Sequence, residues 1–224
     1  MPRAKKVQTK TLVNYIVDSS GSMQSIADQV RSGFKEYVDE LAKDKGDIRL
    51  TLTQFNTRVW TDYVAKPVSE VEAISYRPDG MTALYDAVGK TVRKVEGEVD
   101  ENTKVITVIM TDGLENSSHE FNESSLNALI TEKTEEGNWT FVFLGADQDA
   151  WATASRLGIS RGNTVSYAGM HTNSAFRGVA LATTTASASG APATLDFFSD
   201  AGQTEEDYKP VDVIEPDKTP LSKE

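Results

Sequence analysis

Two short polar stretches, each directly after an apolar run, carry oxygen-bearing side chains that could bind a metal ion. The first places Asp18, Ser20 and Ser22 immediately after the apolar residues 12–17. Because these three side chains alternate, a loop that curls after Asp18 aims one carboxylate and two hydroxyl groups at a single point. Hard oxygen ligands of low total charge suit Mg²⁺ or Mn²⁺. This stretch is therefore a candidate for part of a magnesium or manganese site.

The second stretch is Thr111-Asp112-Gly113, which follows the apolar residues 105–110. A further hydroxyl group, that of Thr82, stands at the entrance of a predicted helix. Asp, Ser and Thr at such positions also cap helices and form turns, and each piece taken alone favours that structural role. The metal hypothesis therefore depends on whether the fold brings the separate pieces together.

Buried strands and amphipathic helices alternate along the chain. Nearly continuous apolar runs at 12–17, 105–110 and 139–144 are typical of strands buried on both faces of a parallel sheet. Two further runs, 48–53 and 58–64, predict a hairpin at a sheet edge, and a short last strand is expected near 164–167. Apolar residues that recur every three or four positions predict helices at about 24–43, 84–95, 124–136, 150–157 and 173–188.

This succession predicts an α/β fold with a doubly wound parallel sheet. In such folds, ligands bind beyond the carboxyl ends of the strands. Asp18 and Asp112 both follow a predicted strand directly. If their two strands are neighbours, the two carboxylates lie close together above the sheet.

Composition and charge exclude several classes of function. The chain has 224 residues, 38% of them hydrophobic and 25% charged, which is typical of a globular protein with one large domain. A net charge of −11 opposes binding to nucleic acids and anionic lipids, so neither a nucleic-acid nor a membrane partner is expected. The sequence contains no cysteine, which excludes disulfides, thiolate zinc sites and cysteine nucleophiles.

The expected location is the cytoplasm. Basic residues precede the apolar run 12–17 as in a signal peptide, but the run is too short and ends at Asp18. We expect a flexible segment at 1–9, a folded domain at 10–189 and a mostly disordered, acidic, proline-containing tail at 190–224. Within the tail, the apolar residues 195–198 are expected either to dock on the domain or to recruit a partner.

The ordered set of polar residues resembles the metal-ion-dependent adhesion site of the von Willebrand factor A domain family. In chain order, the residues that carry the resemblance are Asp18-x-Ser20-x-Ser22, Thr82 and Thr111-Asp112-Gly113. The resemblance covers about residues 10–189. It implies a six-stranded, mostly parallel sheet with one antiparallel edge strand and helices on both faces. The lack of cysteine makes the chain similar to compact intracellular members from bacteria and phages.

The resemblance also implies roles for these residues. Ser20 and Ser22 would hold Mg²⁺ directly, Thr82 would do so in a high-affinity arrangement, and Asp18 and Asp112 would act largely through waters. Such a cation is undercompensated, so an Asp or Glu carboxylate of a protein partner can fill its open position. The implied function is a metal-dependent protein-binding module without catalysis, whose oligomeric state stays open.

Four further polar residues follow the predicted strands near this site. Glu115 and Asn116 are expected either to line the recognition rim or to belong to a solvated loop. Asp147 and Asp149 are expected to cap the next helix rather than to bind metal.

Two alternatives to a simple binding module remain open. One is an adaptor for an AAA-type ATPase, a special case of protein binding. The other is a metal-dependent phosphohydrolase of the haloacid dehalogenase type, whose chemistry usually needs a second Asp two residues after the first as general acid. Ser20 occupies that position here and cannot readily supply the proton.

Overall fold

The computed structural model describes residues 10–146, 150–167, 172–189 and 193–203, and its centre is a single six-stranded sheet. The strand order is β3-β2-β1-β4-β5-β6, and every pair is parallel except β2 with β3. The strands are β1 (Lys10–Asp18), β2 (Ile48–Phe55), β3 (Val59–Pro67), β4 (Thr103–Thr111), β5 (Trp139–Gly145) and β6 (Thr164–Ser166). The predicted fold class, including the antiparallel edge strand, is confirmed.

Helices cover both faces of the sheet. Two of them, α1 and α5, pack with one set of strand side chains, and α2, α3 and α4 pack with the opposite set. Alternate residues of β1 divide in the same way, with Tyr15 in the first core and Ile16 in the second. The helices are α1 (Ala27–Leu41), α2 (Leu84–Val95), α3 (Glu123–Glu135), α4 (Ala150–Arg156) and α5 (Thr172–Ala188).

The two central strands, β1 and β4, place the two predicted polar loops side by side. They are parallel neighbours in register, with Val17 opposite Met110. All residues of β4 are buried, as are those of β1 after Lys10, which explains their continuous apolar runs. Asp18 is the last residue of β1 and Asp112 directly follows β4, so the two residues lie at the ends of adjacent strands at the same edge of the sheet, as expected.

The first helix begins later than its apolar periodicity predicts. A 3₁₀ turn, Gly21–Ile26, follows the first polar loop, and α1 begins only at Ala27 rather than near residue 24. The N–H group of Met23 bonds to the carbonyl of Ser20, an i to i+3 contact that tightens this entry. Ile26 is buried within this turn, so it fits the apolar periodicity of the predicted helix although it lies before α1.

Part of the predicted tail packs against the domain. Phe197 and Phe198, which are 1% and 6% exposed, join the core on the side of α1 and α5. The backbone N–H group of Phe197 donates to Asn163 Oδ1 at 2.8 Å, and Asn163 Nδ2 donates to the carbonyl of Thr194 at 2.9 Å. Residues 195–198 were expected either to dock on the domain or to recruit a partner, and the structure shows docking through Phe197 and Phe198.

Several predicted features lie outside the described residues. They are the N-terminal segment 1–9, Asp147, Asp149, and residues 190–192 and 204–224 of the tail. Within the part of the chain that is described, no helix is both long and apolar enough to cross a bilayer.

Candidate metal centre

Asp18 is the buried base of the site. Its side chain has no exposed surface, and its two carboxylate oxygens contact different loops. Oδ1 accepts a hydrogen bond from the backbone N–H of Ser20 at 2.7 Å, and Oδ2 accepts one from the hydroxyl group of Thr111 at 2.6 Å. The Asp18 carboxylate thus fixes the turn after β1 and ties it to the end of β4.

Two serines extend from this base toward Asp112. Ser20 Oγ lies 3.1 Å from Ser22 Oγ, and Ser22 Oγ donates to Asp112 Oδ1 at 2.7 Å. Ser20 is 2% exposed, whereas Ser22 is exposed. The polar groups therefore run from a buried carboxylate outward to the protein surface, which gives an incoming ligand access to them.

Gly113 shows where the five predicted residues meet. A side-chain carbon added at Gly113 would lie 3.4 Å from Thr82 Oγ1, 3.8 Å from Ser22 Oγ and 4.0 Å from Asp18 Oδ2. Ser20 and Asp112 join this group through their contacts with Ser22. The fold thus brings Asp18, Ser20, Ser22, Thr82 and Asp112 around one small space beside a residue that lacks a side chain.

Thr82 and Ser20 do not cap helices. The residue that precedes α2 is Ala83, and α2 has no side-chain cap. Ser20 precedes the 3₁₀ turn, also without a side-chain cap bond. Helix capping therefore does not account for the hydroxyl groups of Thr82 and Ser20. Asp18, by contrast, does form a local turn bond through its contact with the N–H group of Ser20.

Backbone bonds fix the position of Thr82. Its N–H group donates to Asn116 Oδ1 at 2.8 Å, and the N–H group of Asn116 donates back to the carbonyl of Thr82 at 3.0 Å. The next residue, Ala83, donates its N–H group to the carbonyl of Asn56 at 2.9 Å. Asn116, a predicted rim residue, thus bridges the two loops that carry Thr82 and Asp112.

Glu115, the other predicted rim residue, is fully engaged within the protein. One oxygen accepts from the N–H groups of Ser117 and Ser118, and the other accepts from the N–H group of Tyr85 and the hydroxyl group of Ser118. These four bonds use the usual acceptor capacity of a carboxylate. Glu115 therefore fastens its own loop to the beginning of α2, and its role at a recognition rim stays a prediction.

The environment of Asp18 favours the arrival of positive charge. The pKa of its carboxyl group is raised to about 6. Burial is the largest cause, the hydrogen bonds from Thr111 and Ser20 partly offset it, and the nearby Asp112 carboxylate adds a smaller increase. The ionised form is thus costly in the protein alone. A cation bound nearby would stabilise the ionised form.

Two buried tyrosines lie below the site and were not predicted from the sequence. The hydroxyl group of Tyr76 donates to the backbone carbonyl of Asp18. The hydroxyl group of Tyr167 is buried and has no hydrogen-bond partner among the described residues. Burial raises the pKa of Tyr167 well above its usual value, and the Asp112 carboxylate adds to this effect. An orphaned hydroxyl group near Asp112 fits a polar site built for a further ligand.

The chemistry of the available side chains indicates which metal ions would fit the candidate site. Across residues 10–146, 150–167, 172–189 and 193–203, no three His, Cys, Asp or Glu side chains come together as a metal cluster. Two carboxylates and three hydroxyl groups form the site instead. Oxygen ligands of this kind suit Mg²⁺ or Mn²⁺ better than zinc, which favours nitrogen and sulfur.

The sequence matches a known family over most of its length. The model of the von Willebrand factor type A domain family matches residues 13–179, a range that contains all five residues of the site. A search of curated proteins finds no match.

Solved structures share the fold at low sequence identity. Proximal thread matrix protein 1 from the mussel byssus has a TM-score of 0.57 at 16% identity, with 76% of this chain and 47% of that chain covered. The pilus adhesin SpaC from Lactobacillus rhamnosus GG has a TM-score of 0.64 at 13% identity, with 81% and 31% covered. The manganese-loaded TRAP protein from Plasmodium vivax has a TM-score of 0.55 at 16% identity, with 75% and 72% covered. This chain spans less than half the length of the first two proteins.

Proposed function

Since the chain belongs to the von Willebrand factor type A domain family, we propose that it is a divalent-cation-dependent protein-binding module and not an enzyme. Asp18, Ser20, Ser22, Thr82 and Asp112 would hold Mg²⁺ or Mn²⁺, and a partner would supply an Asp or Glu carboxylate. The observation that carries this proposal is the meeting of Thr82, Ser22 and Asp18 beside Gly113. Three loops that are distant in sequence place hydroxyl and carboxylate oxygens around one point.

The hydrogen bonds of the site support a division of roles among these side chains. Both oxygens of Asp18 already accept hydrogen bonds, from Ser20 and Thr111, so this carboxylate is placed to act behind the hydroxyl groups. Ser20, Ser22 and Thr82 are neutral ligands. A cation held mainly by neutral oxygens keeps most of its positive charge and attracts an external carboxylate.

One solved relative supports the choice of metal. The TRAP protein from Plasmodium vivax is manganese-loaded in its structure and shares the fold of this chain. Mn²⁺ and Mg²⁺ accept the same oxygen ligands, so we include both in the proposal. The expected cytoplasmic location stays a prediction.

Thermal unfolding across a Mg²⁺ and Mn²⁺ titration tests the metal site. A ligand that binds only the native state raises its melting temperature. We expect this rise for the wild type and for Asp39→Ala, a control on the exposed side of α1, and its loss for Asp112→Ala and Ser20→Ala. An equal rise in all four proteins would reject the proposed site, as would no rise in the wild type.

A further inference from the structure

We propose that the partner presents its carboxylate beside an apolar side chain, and that Met81 and Leu114 form the surface that receives this side chain. The inference rests on the proposed capture of a carboxylate at the metal centre. It adds the chemistry that selects one acidic partner segment from the many that could reach a cation. We call the pair Met81 and Leu114 the apolar rim.

The exposure of the two residues is the first observation. Met81 is 48% exposed and Leu114 is 61% exposed. They directly adjoin the residues of the metal centre, because Met81 precedes Thr82 and Leu114 follows Gly113. In the described part of the chain, the exposed large hydrophobic residues are Val64, Met81, Leu114, Leu181 and Leu195. Two of these five residues thus directly flank residues of the metal centre in the chain.

The apolar rim stands on backbone that is held in place. The N–H group of Met81 donates to Thr57 Oγ1 at 2.9 Å. The loop of Leu114 is fixed on its other side by the paired bonds between Asn116 and Thr82. Binding an apolar group therefore requires little ordering of the loops, which lowers the entropic cost of association.

A positive charge near the apolar rim favours an acidic partner. Arg58 directly follows Thr57, whose hydroxyl group accepts the hydrogen bond from the Met81 N–H group. Arg58 is exposed, and its guanidinium group forms no ion pair within the described structure. In a chain with a net charge of −11, this charge locally offsets the repulsion of an acidic segment. The occupant is therefore an acidic segment of a protein partner that carries an adjacent apolar residue.

Selection from a defined peptide pool tests this inference. The probe is a pool of short displayed peptides with a fixed central Glu and random residues on both sides, and the matched pool carries Gln instead. Full-length protein is used with Mg²⁺ and with chelator. We expect Mg²⁺-dependent enrichment from the Glu pool only, with Leu, Ile, Met or Phe preferred beside the Glu.

Variants then assign the preference to the apolar rim. Met81→Ser and Leu114→Ser should each weaken binding of a selected peptide by about tenfold, since each removes one apolar contact. Leu181→Ser, which alters an exposed leucine on α5, should bind like the wild type. Circular dichroism and the Mg²⁺-dependent melting shift should be unchanged in all three variants.

The outcomes separate this inference from the proposed function. Enriched peptides without an apolar preference, or unchanged affinity in both apolar-rim variants, would overturn the apolar rim and leave carboxylate capture in place. A wild type that retains no peptide in a Mg²⁺-dependent manner would overturn both carboxylate capture and the apolar rim. In that case, a Mg²⁺-dependent melting shift would still support the cation site alone.

Discussion

Ser22 Oγ donates a hydrogen bond to Asp112 Oδ1 at 2.7 Å and so connects the loop after β1 to the loop after β4. Because the hydroxyl proton of Ser22 points at Asp112, Ser20 Oγ is the donor in its contact with Ser22 Oγ, and one lone pair of Ser22 Oγ remains available for a cation. The same bond anchors the Asp112 carboxylate behind the hydroxyl group. The pair can therefore serve a metal ion without rearranging, which makes the site preorganised.

The stability of the metal-free protein should depend on Asp18 with an unusual sign. Burial raises the pKa of Asp18 from 3.8 to about 6. Between these values, the native state binds more protons at this residue than the unfolded state does. Its contribution to the free energy of unfolding is therefore lost as the pH rises from 3.8 to about 6. Chemical denaturation in chelator at a series of pH values measures this effect.

The Asp18→Asn variant isolates that contribution. Another carboxylate, Asp86, contributes the opposite trend. Burial tends to raise the pKa of Asp86, but hydrogen bonds from the backbone N–H groups of residues 119–121 lower it overall. The informative quantity is thus the difference in stability between wild type and Asp18→Asn. We expect the wild type to lose stability relative to the variant as the pH rises through this window. A difference that is constant with pH would contradict the assignment.

Metal affinity should show the complementary pH dependence. A cation favours the ionised form of Asp18, so Mg²⁺ competes with the proton at this carboxyl group. We expect the Mg²⁺-dependent melting shift to weaken as the pH falls through about 6. A shift that stays constant well below this pH would show that Asp18 need not be ionised for binding.

Glu115→Ala should reduce stability. The substitution leaves the N–H groups of Ser117, Ser118 and Tyr85 without their carboxylate acceptor. We expect a loss of about 1–3 kcal/mol in the free energy of unfolding, because these partly buried donors lose their acceptor. Urea denaturation measures this loss. Unchanged stability together with weaker peptide binding would instead identify Glu115 as a recognition residue.

Gly33→Ala tests the contact between α1 and α5. A side-chain carbon at Gly33 would lie 2.1 Å from Phe176 Cδ2, so the buried ring must move. We expect a loss of about 1–3 kcal/mol in the free energy of unfolding from this overpacking. Gly97→Ala is the control, since nothing lies within 4 Å of its added carbon. Similar stability of the two variants would show that α5 can shift to accommodate the added methyl group.

Phe197→Ala tests the docked segment of the tail. Phe197 is 1% exposed, whereas Leu195 in the same segment is 57% exposed. Removing the buried ring should lower the free energy of unfolding by about 3–5 kcal/mol, and Leu195→Ala should have little effect. Thermal and chemical unfolding of both variants measure the contrast. Negligible effects of both substitutions would mean that the segment adds nothing to the stability of the domain.

The arrangement of the sheet could be predicted because buried parallel strands have a plain sequence pattern. The continuous apolar runs of β1 and β4 indicated strands covered on both faces, and the structure places them as central neighbours. The residues that meet beside Gly113 were also accessible, since each is a polar group at the end or beginning of a predicted element. Local sequence was sufficient for the sheet and for the site residues, because each apolar run and each polar loop spans only a few consecutive residues.

The supporting contacts could not be predicted because they join distant parts of the chain. The bond from Tyr76 to the carbonyl of Asp18 spans 58 positions, and Glu115 reaches 30 positions back to Tyr85. Asn163 likewise secures Phe197 across 34 positions. None of these residues differs locally from an ordinary loop or strand residue. Their roles depend on the tertiary packing that brings the partners together.

The docked segment 193–203 also determines how the domain would respond to mechanical load. Its backbone and side chains bond to the domain at Gly137, Asn163 and Gly178, and Gly178 lies within α5. Tension applied through residues beyond 203 would first act on the bond from Gln203 to Gly178 and then on the buried phenylalanines. The load would thus reach α5 at the first contact, and the segment would separate from the domain one contact at a time.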